Sequence, residues 1–294
     1  MMIFNELRKH GRLAAKRHPM YEKNKVAKIL GYVMGAFWAG YLIFFGTTFA
    51  FGFSDMVPNR EPYHVMNAVV LIFILALDFL LRVPLQKTPT QEVKPYLLLP
   101  VKRIRVIDFL LIRSGLSLFN LFWLFLFVPF SFITITKFFG ISGVITYLIG
   151  ILLLIIANNY WYLLCRTLIN ERIWWILLPI AFYGGIGCLL FIPEDSPLFY
   201  FFMDLGDGYI QGNIFYFLGT ILVIALLWLI NRKIISGLIY AELAKVDDTQ
   251  IKHVSEYKFF ERYGEVGEYM RLELKMLLRN RRCKGALRNI SIVI

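Results

Sequence analysis

Three cysteines and four histidines in 294 residues leave little material for metal or redox chemistry. Cys165, Cys188 and Cys283 stand far apart without ligand spacing, so they form neither a disulfide framework nor a zinc site. His10, His18, His64 and His253 are equally scattered, and no His-Glu-x-x-His string occurs. A G-x-x-x-x-G-K-S/T loop is missing too, and phosphate cradling needs a Gly-rich turn of that kind. The chain is therefore not expected to hydrolyse ATP by itself. Within its apolar runs the one carboxylate is Asp78, so the paired acids of a proton carrier or an aspartyl protease are absent. No catalytic residue, cofactor or metal is expected, and the chain is not read as an enzyme.

Charge is scarce as well. Asp, Glu, Lys and Arg make up 18% of the residues, where soluble domains carry ~25%, and the hydrophobic share is 58%. Residues 29–54, 114–136, 138–165, 173–193 and 208–231 contain no charged residue at all, and 65–81 contain only Asp78. About 20 apolar residues in a helix cross the ~30 Å hydrocarbon layer. A helix satisfies every backbone N–H and C=O there. The runs do not alternate in polarity, which excludes the strands of a β-barrel. The sequence predicts an all-α polytopic membrane protein with six transmembrane helices.

The net charge of +12 does not mark a nucleic-acid binder, because of where it sits. Lys and Arg number eight in 1–28, six in 82–105 and thirteen in 231–294, with Arg166 and Arg172 between the fourth and fifth runs. The intervening segments carry Asp55, Glu61, Glu194, Asp195, Asp204 and Asp207 against Arg60 and Lys137. Basic loops stay cytoplasmic, so the N-terminus is expected inside. Nothing at the start resembles a cleaved signal peptide.

The ends read differently from the middle. In residues 1–28, Ile3, Phe4, Leu7, Leu13 and Ala14 interleave with Glu6, Arg8, Lys9, Arg12, Lys16 and Arg17, the pattern of an amphipathic helix lying in the membrane interface. His18-Pro19 is placed to end it. The six-span domain then covers 29–240, and 241–294 follow as a cytoplasmic segment. There, Glu273-Leu274-Lys275 with Arg279 repeats the spacing of Glu6-Leu7-Arg8 with Arg12, as part of a second basic amphipathic helix over 268–284. Ile290 to Ile294 turn apolar again. Five such residues cannot cross a bilayer, and the expectation is a longer protein whose remainder supplies a seventh span and a second bundle.

The loop after the second run carries an apolar patch bracketed by prolines. Tyr96, Leu97, Leu98, Leu99, Pro100, Val101, Lys102 and Arg103 follow Lys94-Pro95, and an apolar patch in a polar loop marks a docking surface. With the amphipathic N-terminal helix and the six spans, this Leu-Leu-Pro-Val-Lys-Arg string resembles the permease subunits of ABC-2-type exporters. The aromatic segment from Pro193 to Asp204 is similar to the short re-entrant helices of that family. The likeness covers roughly residues 1–240. It implies an interfacial elbow helix at the N-terminus and a coupling helix over residues 96–103 that docks on a separate ATP-binding cassette ATPase. It also implies a second permease half (from the same chain or a homodimer), contact with membrane lipids, and residence in the bacterial cytoplasmic (inner) membrane. The function expected is alternating-access export. The alternative is a membrane scaffold or regulatory subunit that has the fold and transports nothing.

Several polar residues in or near the spans call for partners. Asp78 and Arg82, four apart on one helical face, are spaced to pair, and Asp108 and Arg113 sit near the start of the third run. Together they predict an interfacial ion-pair cluster fixing spans two and three. Asn120 is expected to make a helix–helix hydrogen bond. Gly31 and Gly35 suggest a packing face, and Tyr160, Trp161, Tyr162, Trp174 and Trp175 an interfacial aromatic belt.

Overall fold

The computed structural model describes residues 25–56, 61–86, 88–89, 102–191, 196–244 and 264–279, with Glu6, Arg8, Lys9 and Leu13 besides. Among these every element is helical. The chain divides into two units, Met1–Ala244 and Lys245–Ile294. In the first unit the helices are α1 (Lys25–Met56), α2 (Pro62–Leu85), α3 (Arg103–Gly115), α4 (Leu118–Phe122), α5 (Leu124–Thr134), α6 (Thr136–Glu171), α7 (Leu177–Phe191), α8 (Pro197–Ile210) and α9 (Ile214–Ala244). In the second unit α10 spans Gly264–Arg279.

Four stretches are long and apolar enough to cross a membrane: Ile29–Phe53, Pro62–Leu85, Thr136–Glu171 and Ile214–Leu238. A fifth arises if Ile104–Phe122 and Leu124–Thr134, bent by 57° at Trp123, count as one broken span. The distribution of polarity agrees. Asn67, Asp78, Arg82, Asn120, Asn158, Asn159 and Asn231 are buried, while Phe37, Leu118, Phe215 and Leu222 lie exposed. Polar groups inside and large apolar ones outside is the reverse of a soluble protein, and it is what a lipid solvent demands. This is an α-helical, multi-pass membrane protein.

The charge-free runs and the helices differ in informative ways. The expected span 114–136 is three helices, because the chain breaks at Leu116 and Ser117. The Ser117 hydroxyl caps α4 by accepting from Phe119 N at 3.3 Å, and Pro129 removes a further donor inside α5. The expected span 173–193 opens with a tight 3₁₀ turn, Ile173–Ile176, and its apolar helix, Ile173–Leu189, is a short one. The expected span 208–231 begins inside α8, which ends in a turn at Gln211 and Gly212 before α9 starts. In α6, Gly140 adopts φ 65°, ψ −167°, a conformation essentially closed to residues with a Cβ, and kinks the helix there. Only a break in periodicity announces such features, and apolar counting does not detect one.

The core has two parts joined by α6. In one, Phe127, Phe130, Tyr147 and Ile151 pack with Met66 and Leu71 of α2 and Tyr209 of α8. In the other, Ile107 and Leu111 of α3 pack with Tyr162 and Leu163 of α6, Phe79 of α2 and Ile235 of α9. Tyr160 and Tyr162 thus belong to the core and not to an interfacial belt, because each hydroxyl reaches a backbone carbonyl: Leu111 for Tyr160, Arg82 and Gln86 for Tyr162. Trp174 and Trp175 are exposed. Gly31 and Gly35 have no atom within 4 Å of the place a Cβ would take, so they serve no packing face among the described residues.

Residues 1–28 lie outside the described residues except for Glu6, Arg8, Lys9 and Leu13, which are helical and exposed, and Lys25 to Lys28, which open α1. In the second unit, α10 starts at Gly264, earlier than the helix read over 268–284. Val266, Tyr269, Met270 and Leu272 are exposed on it. The apolar run from Ile290 to Ile294 falls outside the described residues.

Candidate functional site

Three polar residues, Asp78, Arg82 and Gln86, follow one another at intervals of four along the last turns of α2, so they share a face. That face meets the break between α3 and α4 and the second half of α6. Asp78 and Arg82 are both 0% exposed. Arg82 Nε donates to Asp78 Oδ2 at 2.7 Å. One Nη donates to Gln86 Oε1 at 2.8 Å and Asn159 Oδ1 at 2.9 Å, and the other to Asn120 Oδ1 at 2.8 Å. The guanidinium also lies over the Phe119 ring, 4.9 Å from its centroid.

Asp78 is served from two further helices. Trp123 Nε1 donates to Oδ1 at 2.7 Å, and Asn158 Nδ2 to Oδ2 at 2.8 Å. Asn158 in turn accepts from the Tyr183 hydroxyl of α7. Asn120 closes the circuit: while its oxygen holds Arg82, its Nδ2 donates to Gly115 O at 2.6 Å and Ser114 O at 3.3 Å. Those carbonyls are the ones a helix end leaves without partners. The broken helix is therefore held open by an amide that is itself fixed by Arg82.

The chemistry follows from this saturation. A buried ion is tolerated when it is paired and its remaining hydrogen-bonding groups are met. Here one cation and one anion cancel, and amides, an indole and a hydroxyl satisfy the rest. Such a centre clamps α2, α4, α6 and α7 together. No group of three or more His, Cys, Asp or Glu fit to hold a metal occurs among the described residues.

A second cluster sits at the start of α2. Met66–Val70 form a π turn, a local widening that often accompanies function. Asn67 in that turn accepts from the Tyr147 hydroxyl at 2.8 Å, and its Nδ2 is buried without a partner. One turn earlier, His64 Nε2 lies 3.0 Å from Asp207 Oδ2 of α8.

Of the residues singled out in the sequence, Asp78 and Arg82 meet, buried between the helices. Asp108 pairs with Arg232 of α9 at 2.9 Å, a partner the sequence reading did not name. Tyr96, Leu97, Leu98, Leu99, Pro100 and Val101 lie outside the described residues, while Lys102 is exposed just before α3 and Arg103 begins it. Sequence reasoning passed over Gln86, Ser114, Trp123, Asn158 and Asn159, since none is charged. The adjacent amides Asn158-Asn159 in the middle of an uncharged run were the available signal.

Over residues 12–294 the sequence matches the family DUF5687, described as a family of unknown function. No curated protein and no solved structure matches.

Proposed function

We propose that this chain, which belongs to the DUF5687 family, is the membrane-spanning permease subunit of an ABC-type exporter, driven by a separate ATPase. One observation carries the reading. The helices on either side of segment 87–101, α2 and α3, both run into the Asp78–Arg82 centre, through Gln86 on one side and Ser114 on the other, with Asn120 of α4 just beyond the break. An ATPase moving that segment would act on the clamp that fixes the broken helix. Such leverage is what coupling nucleotide hydrolysis to alternating access requires.

The finer topology belongs to the same proposal. Six crossings are supplied by α1, α2, the bent α3–α5, α6, the short Ile173–Leu189 helix and α9, with the N-terminus and segment 87–101 in the cytoplasm of a bacterial cell and 1–28 as an interfacial elbow. Contacts between helix ends support the alternation. The start of α2 meets α8 (His64 with Asp207), and the end of α2 meets the later half of α6 (Arg82 with Asn159). Early α3 meets late α9 (Asp108 with Arg232). Cysteines placed singly at Asn59 or at exposed Asp204, in a background lacking Cys165, Cys188 and Cys283, should react with an impermeant thiol reagent added to intact cells. Cysteines at exposed Lys102 or at Thr249 should react only after lysis. Labelling at Lys102 in intact cells would reverse the orientation and remove the coupling argument.

The function itself is tested at the segment. The Leu98→Asp, Leu99→Asp double variant should insert in the membrane as the wild type does and lose co-purification of a phosphate-binding-loop ATPase. Buried apolar anchors dominate such contacts, so the expected loss is complete. An ATPase retained by the double variant, or no ATPase with the wild type, overturns the assignment.

A further inference from the structure

We propose that α10 is a membrane-surface helix, docked by its apolar face in the interface of an anionic bilayer. The helix forms because residues 265–279 are mostly Leu, Met, Glu, Lys and Arg, all good helix formers. Glu265 in the first turn and Arg279 at the end also suit the helix dipole. Val266, Tyr269 and Met270 stand at i, i+3 and i+4, so they share one face, and Leu272 follows Tyr269 by three. All four are more than half exposed, Tyr269 by 73%. Arg271, Lys275 and Arg279 recur at intervals of four, on the side of the helix away from Val266.

Exposed apolar residues have a ready explanation in the first unit, where lipid tails cover the spans. A crossing cannot explain them on α10. It is 16 residues long and carries Glu265, Glu268, Arg271, Glu273, Lys275 and Arg279, whereas a span needs about 20 apolar residues. A helix of this composition covers its apolar face by lying in the plane of the interface, with its charges toward water. Glu273 sets the depth. It follows Met270 by three and Tyr269 by four, so a charge interrupts the apolar face and keeps the helix among the headgroups.

Charge and connectivity favour a lipid surface over a protein partner. Residues 264–294 hold seven Lys and Arg against three Glu and no Asp. Near an anionic leaflet each such cation strengthens binding about fivefold. An acidic protein would offer the same attraction, but it would have to be recruited. The bilayer needs no recruiting. The chain passes from α9, which is long and apolar enough to cross it, through residues 245–263 into α10. A contact made by a tethered segment is occupied even when its intrinsic affinity is low. A zwitterionic surface would provide the apolar boundary without the attraction, so an anionic one is preferred.

This contact does not depend on the permease reading and is tested on the full chain in nanodiscs. One set is pure phosphatidylcholine, the other phosphatidylcholine mixed with phosphatidylglycerol. In a background lacking Cys165, Cys188 and Cys283, Met270→Cys or Glu268→Cys carries a polarity-sensitive fluorophore. In the anionic discs the label at 270 should shift to the blue and be quenched by spin-labelled lipid. The label at 268, on the side of Arg271 and Lys275, should stay in water. Salt at about 1 M, where the screening length is about 3 Å, should weaken the quenching. Three cations at about fivefold each set the scale for Arg271→Gln, Lys275→Gln and Arg279→Gln made together. That variant should lower the ratio of quenched to unquenched helix about a hundredfold. Val266→Ser with Tyr269→Ser should abolish quenching at 270 in both sets. A label at 270 that stays in water, equal quenching at 268 and 270 or in the two sets of discs, or an unchanged ratio in the triple variant would each overturn the proposal. So would a blue shift without quenching by lipid, which would mean that protein covers the face.

Discussion

Replacing Arg82 by Met is expected to destabilise the protein by about 3–5 kcal/mol, the cost of leaving a buried ion without its partner. The cost arises in Asp78, which keeps Trp123 and Asn158 as donors but loses the charge that made its ionisation acceptable. Asn120 loses the donor to its oxygen at the same time, while Asn159 keeps Gln86 Nε2 at 2.8 Å. Arg82→Lys should recover only part of the loss, because an ammonium cannot address Asp78, Asn120 and Asn159 from one planar fork. The informative comparison is the pair Asp78→Leu and Arg82→Met made together. Removing both charges leaves no uncompensated ion, so the double variant should be more stable than Arg82→Met alone. In a Cys283→Ser background the protein supplies its own probe. Cys188 is exposed and is expected to react first, whereas Cys165 is buried and is expected to react only on unfolding. The temperature of that second reaction in detergent ranks the variants. Equal temperatures for wild type and Arg82→Met would mean that the pair is not a clamp.

The membrane class was legible in the sequence because burial in lipid leaves a record in composition: a helix that crosses hydrocarbon excludes charge for about 20 residues. The same rule blurred the boundaries. It merges helices wherever the chain turns within an apolar environment, as at Ser117 and Gly212, and it extends 114–136 across a break that the Ser117 cap alone marks. The Asp78–Arg82 pair was readable from a spacing of four along one helix. Gln86 follows at the same spacing, but the remaining partners come from 38 to 80 residues away, and no local periodicity encodes that distance. Asp108 shows the limit clearly. Its partner Arg232 of α9 lies 124 positions away, and no local spacing points to it. The tyrosines err in the same direction. Aromatic residues near a span end suggest an interfacial belt, but Tyr160 and Tyr162 sit where helices need a hydroxyl to satisfy carbonyls in the core.

The other large effect is expected where α8 meets α2. A Cβ on Gly206 would overlap the side chain of Asn67, which cannot swing away easily: it is fully buried in the π turn and accepts the Tyr147 hydroxyl. Gly206→Ala must therefore displace either the amide or the whole of α8. Forcing atoms into a packed site costs about 1–3 kcal/mol, and breaking the bond of a buried hydroxyl adds about 1–3 kcal/mol. Gly219→Ala in α9 is the control, since nothing lies within 4 Å of its Cβ position and alanine is the better helix former. It should match the wild type or exceed it. If the clash with Asn67 is the cause, Asn67→Ala introduced into Gly206→Ala should raise stability again, even though the Tyr147 hydroxyl then has no amide to meet. A shift of α8 would also pull Asp207 from His64, so a cysteine at Asp204 should label faster in Gly206→Ala than in the wild-type background. Unfolding at the wild-type temperature in Gly206→Ala, with unchanged labelling at 204, would show that α8 does not depend on this close approach.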